Sequence, residues 1–152
     1  MPDSELHIRR ARRTDFTNVM QLLATSGMPV PLPERATLHR FRNIVNDLGG
    51  DFYLAFRGEQ LDGLVYATYR RRLTMGPLAR IEQLVVRAGD EASATALLAF
   101  ILERARKRGC SELHATRSVI RGAAEETLLA AGLTAATDGL LAYAYELREA
   151  TT

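Results

Sequence analysis

Glu82 stands inside the otherwise apolar stretch Ile81-Glu82-Gln83-Leu84-Val85-Val86. A carboxylate drawn among apolar neighbours resists ionisation, so it can act as a general base near neutral pH, directly or through a water molecule. The same residue also reads as half of a buried ion pair with an arginine such as Arg80 or Arg117. His7, His39 and His114 are too dispersed along the chain to suggest a metal site, and none is expected. His114 lies between Leu113 and Ala115 in a strand-like segment, where it reads either as a base or as a hydrogen-bonded structural histidine. Cys110 is the one cysteine; it excludes an internal disulfide framework or a cysteine-rich zinc site and reads as a small packed residue. The sequence contains no Walker-type phosphate loop, dinucleotide glycine fingerprint or nucleophile elbow.

These groups have to be held by a chain of 152 residues that is 47% hydrophobic and 25% charged. That balance is globular, and the length predicts a single domain over residues 1–152 with enough core to need no staple. The longest apolar run, Ala96 to Leu102, is far short of a membrane span, and the opening residues have no apolar stretch of signal-peptide type, so a cytoplasmic protein is expected. The net charge is +2, and 19 of the 20 basic residues are arginine. Clusters at Arg9 to Arg13 and Arg70 to Arg72 suit anionic ligands. They do not form the basic stripe with a docking element that nucleic-acid binding requires.

Leu6 to Ala11 predicts a first strand, followed by a helix capped by Thr14 with Asp15 in its first turn. The prolines at 29, 31 and 33 impose a loop before a second helix, whose apolar stripe is Leu38, Phe41, Ile44, Val45 and Leu48. Asp51 to Arg57 and Gln60 to Arg70 read as strands joined by a tight Gly58-Glu59 turn, and Leu78 to Val86 as a third strand of that run. Ala94, Leu97, Leu98, Ile101, Leu102 and Ala105 follow helical spacing, with Gly109 at the cap. Ser111 to Arg117 is strand-like, Val119 to Ala131 helical, and Leu140 to Leu147 a closing apolar strand that is a candidate for docking a second copy. The order is that of an α/β, or α+β three-layer, fold: a mixed sheet flanked by helices, with a parallel crossover through the long helix.

This arrangement resembles the GCN5-related N-acetyltransferase family over Leu6 to Leu147. Leu54-Ala55-Phe56-Arg57-Gly58-Glu59-Gln60-Leu61-Asp62-Gly63 looks like the family's second-to-third strand hairpin. Arg80-Ile81-Glu82-Gln83-Leu84-Val85-Val86 looks like its central fourth strand, and Gly132-Leu133 stands where its Gly-Phe pair ends the fourth helix. The resemblance implies acyl transfer, usually acetyl, from acetyl-coenzyme A to an amine of a small molecule or protein, with Glu82 as catalytic base. In the family the fourth strand splays from the fifth and leaves backbone groups for pantetheine, which fall here on Leu84, Val85 and Val86. The pyrophosphate sits on amides at the next helix start, which fall on Gly89, Ala92, Ser93, Ala94 and Thr95. The acceptor site is built by the first two helices and their loop, here including Pro29 to Pro33.

Five positions depart from the family pattern. Ala92 replaces a glycine of the phosphate loop, and Asp90 and Glu91 set carboxylates in the field that should hold an anion. The residue expected to be an acid tyrosine is Leu128, and the expected asparagine is Arg121. These departures imply an alternative: a degenerate module of this fold with a binding, regulatory or partner-docking role and little catalysis.

Overall fold

The hairpin at the centre of the sequence forms as its pattern predicts: β2 (Asp51–Arg57) and β3 (Gln60–Arg70) pair antiparallel across the Gly58-Glu59 turn. In the computed structural model, which describes residues 5–116, 120–122, 125–135 and 143–147, β1 (Leu6–Arg10) pairs with β2, and β4 (Leu78–Val86) with β3, both antiparallel. The long helix α3 (Glu91–Lys107) then carries the chain to β5 (Glu112–Ala115), which lies parallel to β4. The parallel crossover therefore forms as expected.

The sheet order is β1-β2-β3-β4-β5-β8-β7, with β7 (Thr134–Ala135) and β8 (Tyr143–Glu146) after the short helix α4 (Glu125–Ala130). The expected closing strand is thus not the last in the sheet. β8 pairs with β5 on one side and with β7 on the other, so the edge invoked for a second copy is already covered at Tyr143 and Ala144. Leu140 to Ala142 lie outside the described residues.

Helices pack on both faces. Leu97, Leu98, Ile101 and Ala105 of α3 join Ile81, Leu84, Val86, Leu113 and Leu128 in one fully apolar layer. On the other face α1 (Phe16–Thr25) and α2 (Glu34–Asn46) lay Phe16, Val19, Leu22, Leu23 and Phe41 against Phe52, Leu54, Leu64 and Val85. Leu48 is not part of that stripe: α2 stops at Asn46, and Leu48 is 78% exposed. The cap of the first helix also differs from expectation. A short 3-10 turn, Arg13–Asp15, precedes α1, and Asp15 accepts from the Arg12 amide at 2.7 Å while its carboxylate grips Arg9. Asp15, not Thr14, stands at the N-cap position of α1, but its carboxylate reaches back to Arg12 and Arg9 and caps no amide of the helix.

Two features are new. The region expected to be one helix from Val119 opens instead with a two-residue strand, β6 (Ile120–Arg121), parallel to β4. A bulge also lies in β4: Tyr66 faces Gln83, but the next residue, Ala67, faces Ile81. Glu82 is the extra residue.

Candidate active site

The bulge decides which way Glu82 faces. Strict alternation would set Glu82 on the same face as Leu84 and opposite to Gln83. Instead Ile81 and Leu84, three apart, both enter the α3 layer, while Gln83 and Val85 turn toward α1 and α2. The inserted residue shifts the phase of the strand and bends it. Glu82 accordingly meets Thr68, which alternates with Ala67 and Tyr69 of the α3 layer and so faces α1 and α2; the Thr68 hydroxyl donates to Glu82 Oε1 at 2.7 Å. Arg80 Nε lies 3.7 Å from the same oxygen, and the Glu82 side chain is 33% exposed. The carboxylate is therefore reachable from solvent rather than sealed in a buried ion pair. Arg117, the other arginine considered as a partner, lies outside the described residues.

The bulge also ends the β4–β5 pairing. Its last matched residues are Ile81 and Ala115, immediately before Glu82. A cavity of about 230 Å³ lies beside this point, between α1, α2 and the sheet. Phe16, Met20, Phe41, Ile44 and Phe52 give it an apolar wall, the Met28 to Leu32 loop closes one side, and Tyr66 and Gln83 come from its floor. Burial, with help from Asp47 and Glu82, pushes the Tyr66 phenol up, so it stays a neutral donor at physiological pH. The cavity is made of the two helices and the loop expected to build an acceptor site.

His114 shares the β5 face opposite Leu113 and Ala115, but its Nε2 lies 2.8 Å from Glu112 Oε2. This is the hydrogen-bonded structural histidine. Cys110 is buried, and burial pushes its thiol up, away from a reactive thiolate. Leu128 is 3% exposed and belongs to the core. Among the described residues no three of His, Cys, Asp and Glu gather where they could hold a metal ion.

The positions carried over for coenzyme A have other partners. A strand offers two edges. β3 takes one edge of β4, matching Leu84 to Val65 and Val85 to Leu64, and β6 takes the other, matching Leu84 to Ile120 and Val85 to Arg121. Gly122 follows with φ +83°, and a Cβ there would overlap the Val86 carbonyl oxygen. At the start of α3, Asp90 Oδ1 accepts from the Ser93 amide at 3.1 Å. Asp90 Oδ2 accepts from the Ser93 hydroxyl at 2.7 Å and from Arg57 at 3.0 Å. Burial would push the Asp90 carboxyl up, but Ser93 and Arg57 outweigh it and hold the group below its ordinary range. Arg57 also binds buried Asp62, the bulged residue of β3, which Arg87 and Gln60 reach as well. β6 thus pairs with Leu84 and Val85 on the edge expected to receive pantetheine, and Asp90 holds the Ser93 amide at the helix start expected to receive the pyrophosphate.

Sequence reasoning did not find β6, the Arg57 latch, Thr68 or the Tyr66 and Gln83 floor. A signal for β6 existed in Gly122, which costs helix stability and sits inside the stretch read as helical.

The architecture is that of the GCN5-related N-acetyltransferases. No family model and no curated relative matches the sequence, whereas solved structures match over nearly their whole length. A transcriptional regulator from Bacillus halodurans C-125 superposes with a TM-score of 0.74 at 24% identity, covering 90% of this chain and 97% of that one. A PaiA N-acetyltransferase from Thermoplasma acidophilum, solved with coenzyme A, gives 0.71 at 15% identity over 93% and 99%. The aminoglycoside 6'-N-acetyltransferase AAC(6')-Ih from Acinetobacter baumannii gives 0.66 at 20% over 86% and 91%.

Proposed function

We propose that the chain is an N-acetyltransferase acting on small-molecule amines, with Glu82 as the base. The observation that carries this reading is the β4 bulge, which turns Glu82 toward the α1 and α2 face, next to the apolar cavity, at the point where β4 and β5 part. An ammonium group cannot act as a nucleophile until it loses a proton. Glu82, anchored by Thr68 and open to solvent on one side, is placed to receive that proton and pass it outward. Tyr66 and Gln83 supply polar contacts on the cavity floor, and the aromatic wall holds the body of the acceptor. The acetyl donor implied by the fold is acetyl-coenzyme A, on Leu84, Val85, Val86 and Gly89, Ala92, Ser93, Ala94 and Thr95, in a state where β6 and Asp90 have released them. A small-molecule acceptor is favoured over a protein one because the cavity has room for about one ring: some 150 Å³ suffices for benzene.

A second reading is supported by the same closed positions: a module of this fold that keeps the amine cavity and transfers nothing. Calorimetric titration with acetyl-coenzyme A, followed by mass spectrometry of amine mixtures incubated with protein and donor, separates the two. Saturable binding with a mass gain of one acetyl group is expected. No binding and no acetylation would leave the binding module.

A further inference from the structure

Resting on that reading, we infer that β6 is a built-in strap that shuts the donor groove, so that coenzyme A and Ile120–Gly122 compete for one edge of β4. Three observations converge. The β4–β5 pairing stops at Ile81 and Ala115, and pairing on that same edge resumes with β6 at Leu84 and Val85, two of the three residues whose backbone the donor would need. Gly122 has a left-handed backbone and sits against the Val86 carbonyl oxygen, so only a residue without a Cβ lets the strap lie this close. Two matched residue pairs make a short ladder, of the kind that opens locally while the rest of a fold stays intact. When the competent state is a small fraction of the population, the apparent affinity of a ligand falls by that fraction. The strap thus sets the donor affinity without touching the acceptor cavity, which lies on the other face of β4 among α1 and α2.

The test ties the strap down or pushes it off and reads coenzyme A binding by calorimetry. In the Val85→Cys, Arg121→Cys double variant the two thiols occupy matched positions on neighbouring strands, and oxidation links them. The oxidised protein is expected to bind coenzyme A at least tenfold more weakly than the same protein after reduction. In Gly122→Ala the new methyl group drives the strap off Val86. There, coenzyme A affinity should rise at least fivefold, and amide hydrogen exchange at Leu84 to Val86 should quicken without ligand and slow with it. Equal affinity of the oxidised and reduced forms would overturn the strap while leaving the donor site standing. Should Gly122→Ala fail to fold, the redox pair decides alone. If the parent, the reduced pair and Gly122→Ala all fail to bind coenzyme A, the acetyltransferase reading falls and the strap proposal with it.

Discussion

Thr68 and Glu82 meet across the bulged ladder of β3 and β4, the hydroxyl 2.7 Å from the carboxylate. That hydrogen bond orients the Glu82 carboxylate. Glu82→Gln keeps the shape and the Thr68 contact but cannot accept a proton. Turnover should fall by roughly 100-fold or more, with coenzyme A affinity little changed. Wild-type rates at neutral pH in this variant would remove Glu82 from the role of base. Thr68→Val, which only frees the carboxylate to swing, should cost about tenfold in turnover.

The hairpin and β4 were legible because aromatic and branched residues alternate there and the Gly58-Glu59 turn bounds them, and α3 because its apolar spacing is unbroken. What alternation could not convey was the bulge. Inserting Glu82 into the ladder leaves no local mark in the sequence, yet it reverses the face of every residue after it relative to those before. β6 was hidden for a related reason: Ile120 and Arg121 find their partner 36 residues away on β4, and pairing at that distance leaves no periodic trace in two residues. The carboxylates of Asp90 and Glu91 were readable as a conflict with an anion. That Asp90 would be locked by Arg57, from the far end of β2, was not.

The helix start gives a separate test of the proposed donor site. Asp90 accepts from the Ser93 amide and from Arg57, which also binds Asp62. Asp90→Asn with Glu91→Gln keeps an oxygen for the Ser93 amide while removing two negative charges. A charge beside a helix terminus is worth roughly 0.3–1 kcal/mol, so removing both should let coenzyme A bind about three- to thirtyfold more tightly, the gain shrinking with added salt. A pantetheine fragment, which has no phosphates, should bind both proteins equally. A gain of the same size for the fragment would mean that the charges act through the fold and not on an anion.

Acid sensitivity should trace to Asp51. Its carboxylate is fully buried and held by Arg104, Arg108 and the Tyr69 hydroxyl. Burial alone would raise its pKa, but these partners overcome that and lower it, as Arg9 does for Asp15. A carboxyl that is more acidic folded than unfolded stabilises the protein above its unfolded pKa of about 4. That contribution is lost as pH falls through the folded value. The urea midpoint should therefore drop steeply below about pH 4. Asp51→Asn should lower stability at pH 7 by about 3 kcal/mol, the low end for a broken buried pair because the arginine heads still reach water. It should also flatten the acid limb. An unchanged slope would place the acid transition elsewhere.

The cavity makes the acceptor's chemistry testable without any donor. Its walls are aromatic and aliphatic, and its one ionisable cation is Arg40. An amine on a single apolar ring, such as benzylamine, loses its hydration shell there at little cost because only the ammonium group needs polar partners, and Tyr66, Gln83 and Glu82 lie on that side. A polycationic aminosugar would have to bury several charges against apolar walls and beside Arg40, which is costly when charges lack partners. Thermal-shift titrations should therefore rank benzylamine at least tenfold above an aminoglycoside. Met20→Trp, which fills the space between α1 and the sheet, should erase the benzylamine shift, whereas Glu82→Gln should weaken it only a few-fold, since the ring contacts remain. Tighter binding of the aminoglycoside, or an undiminished benzylamine shift in Met20→Trp, would exclude this cavity as the acceptor site.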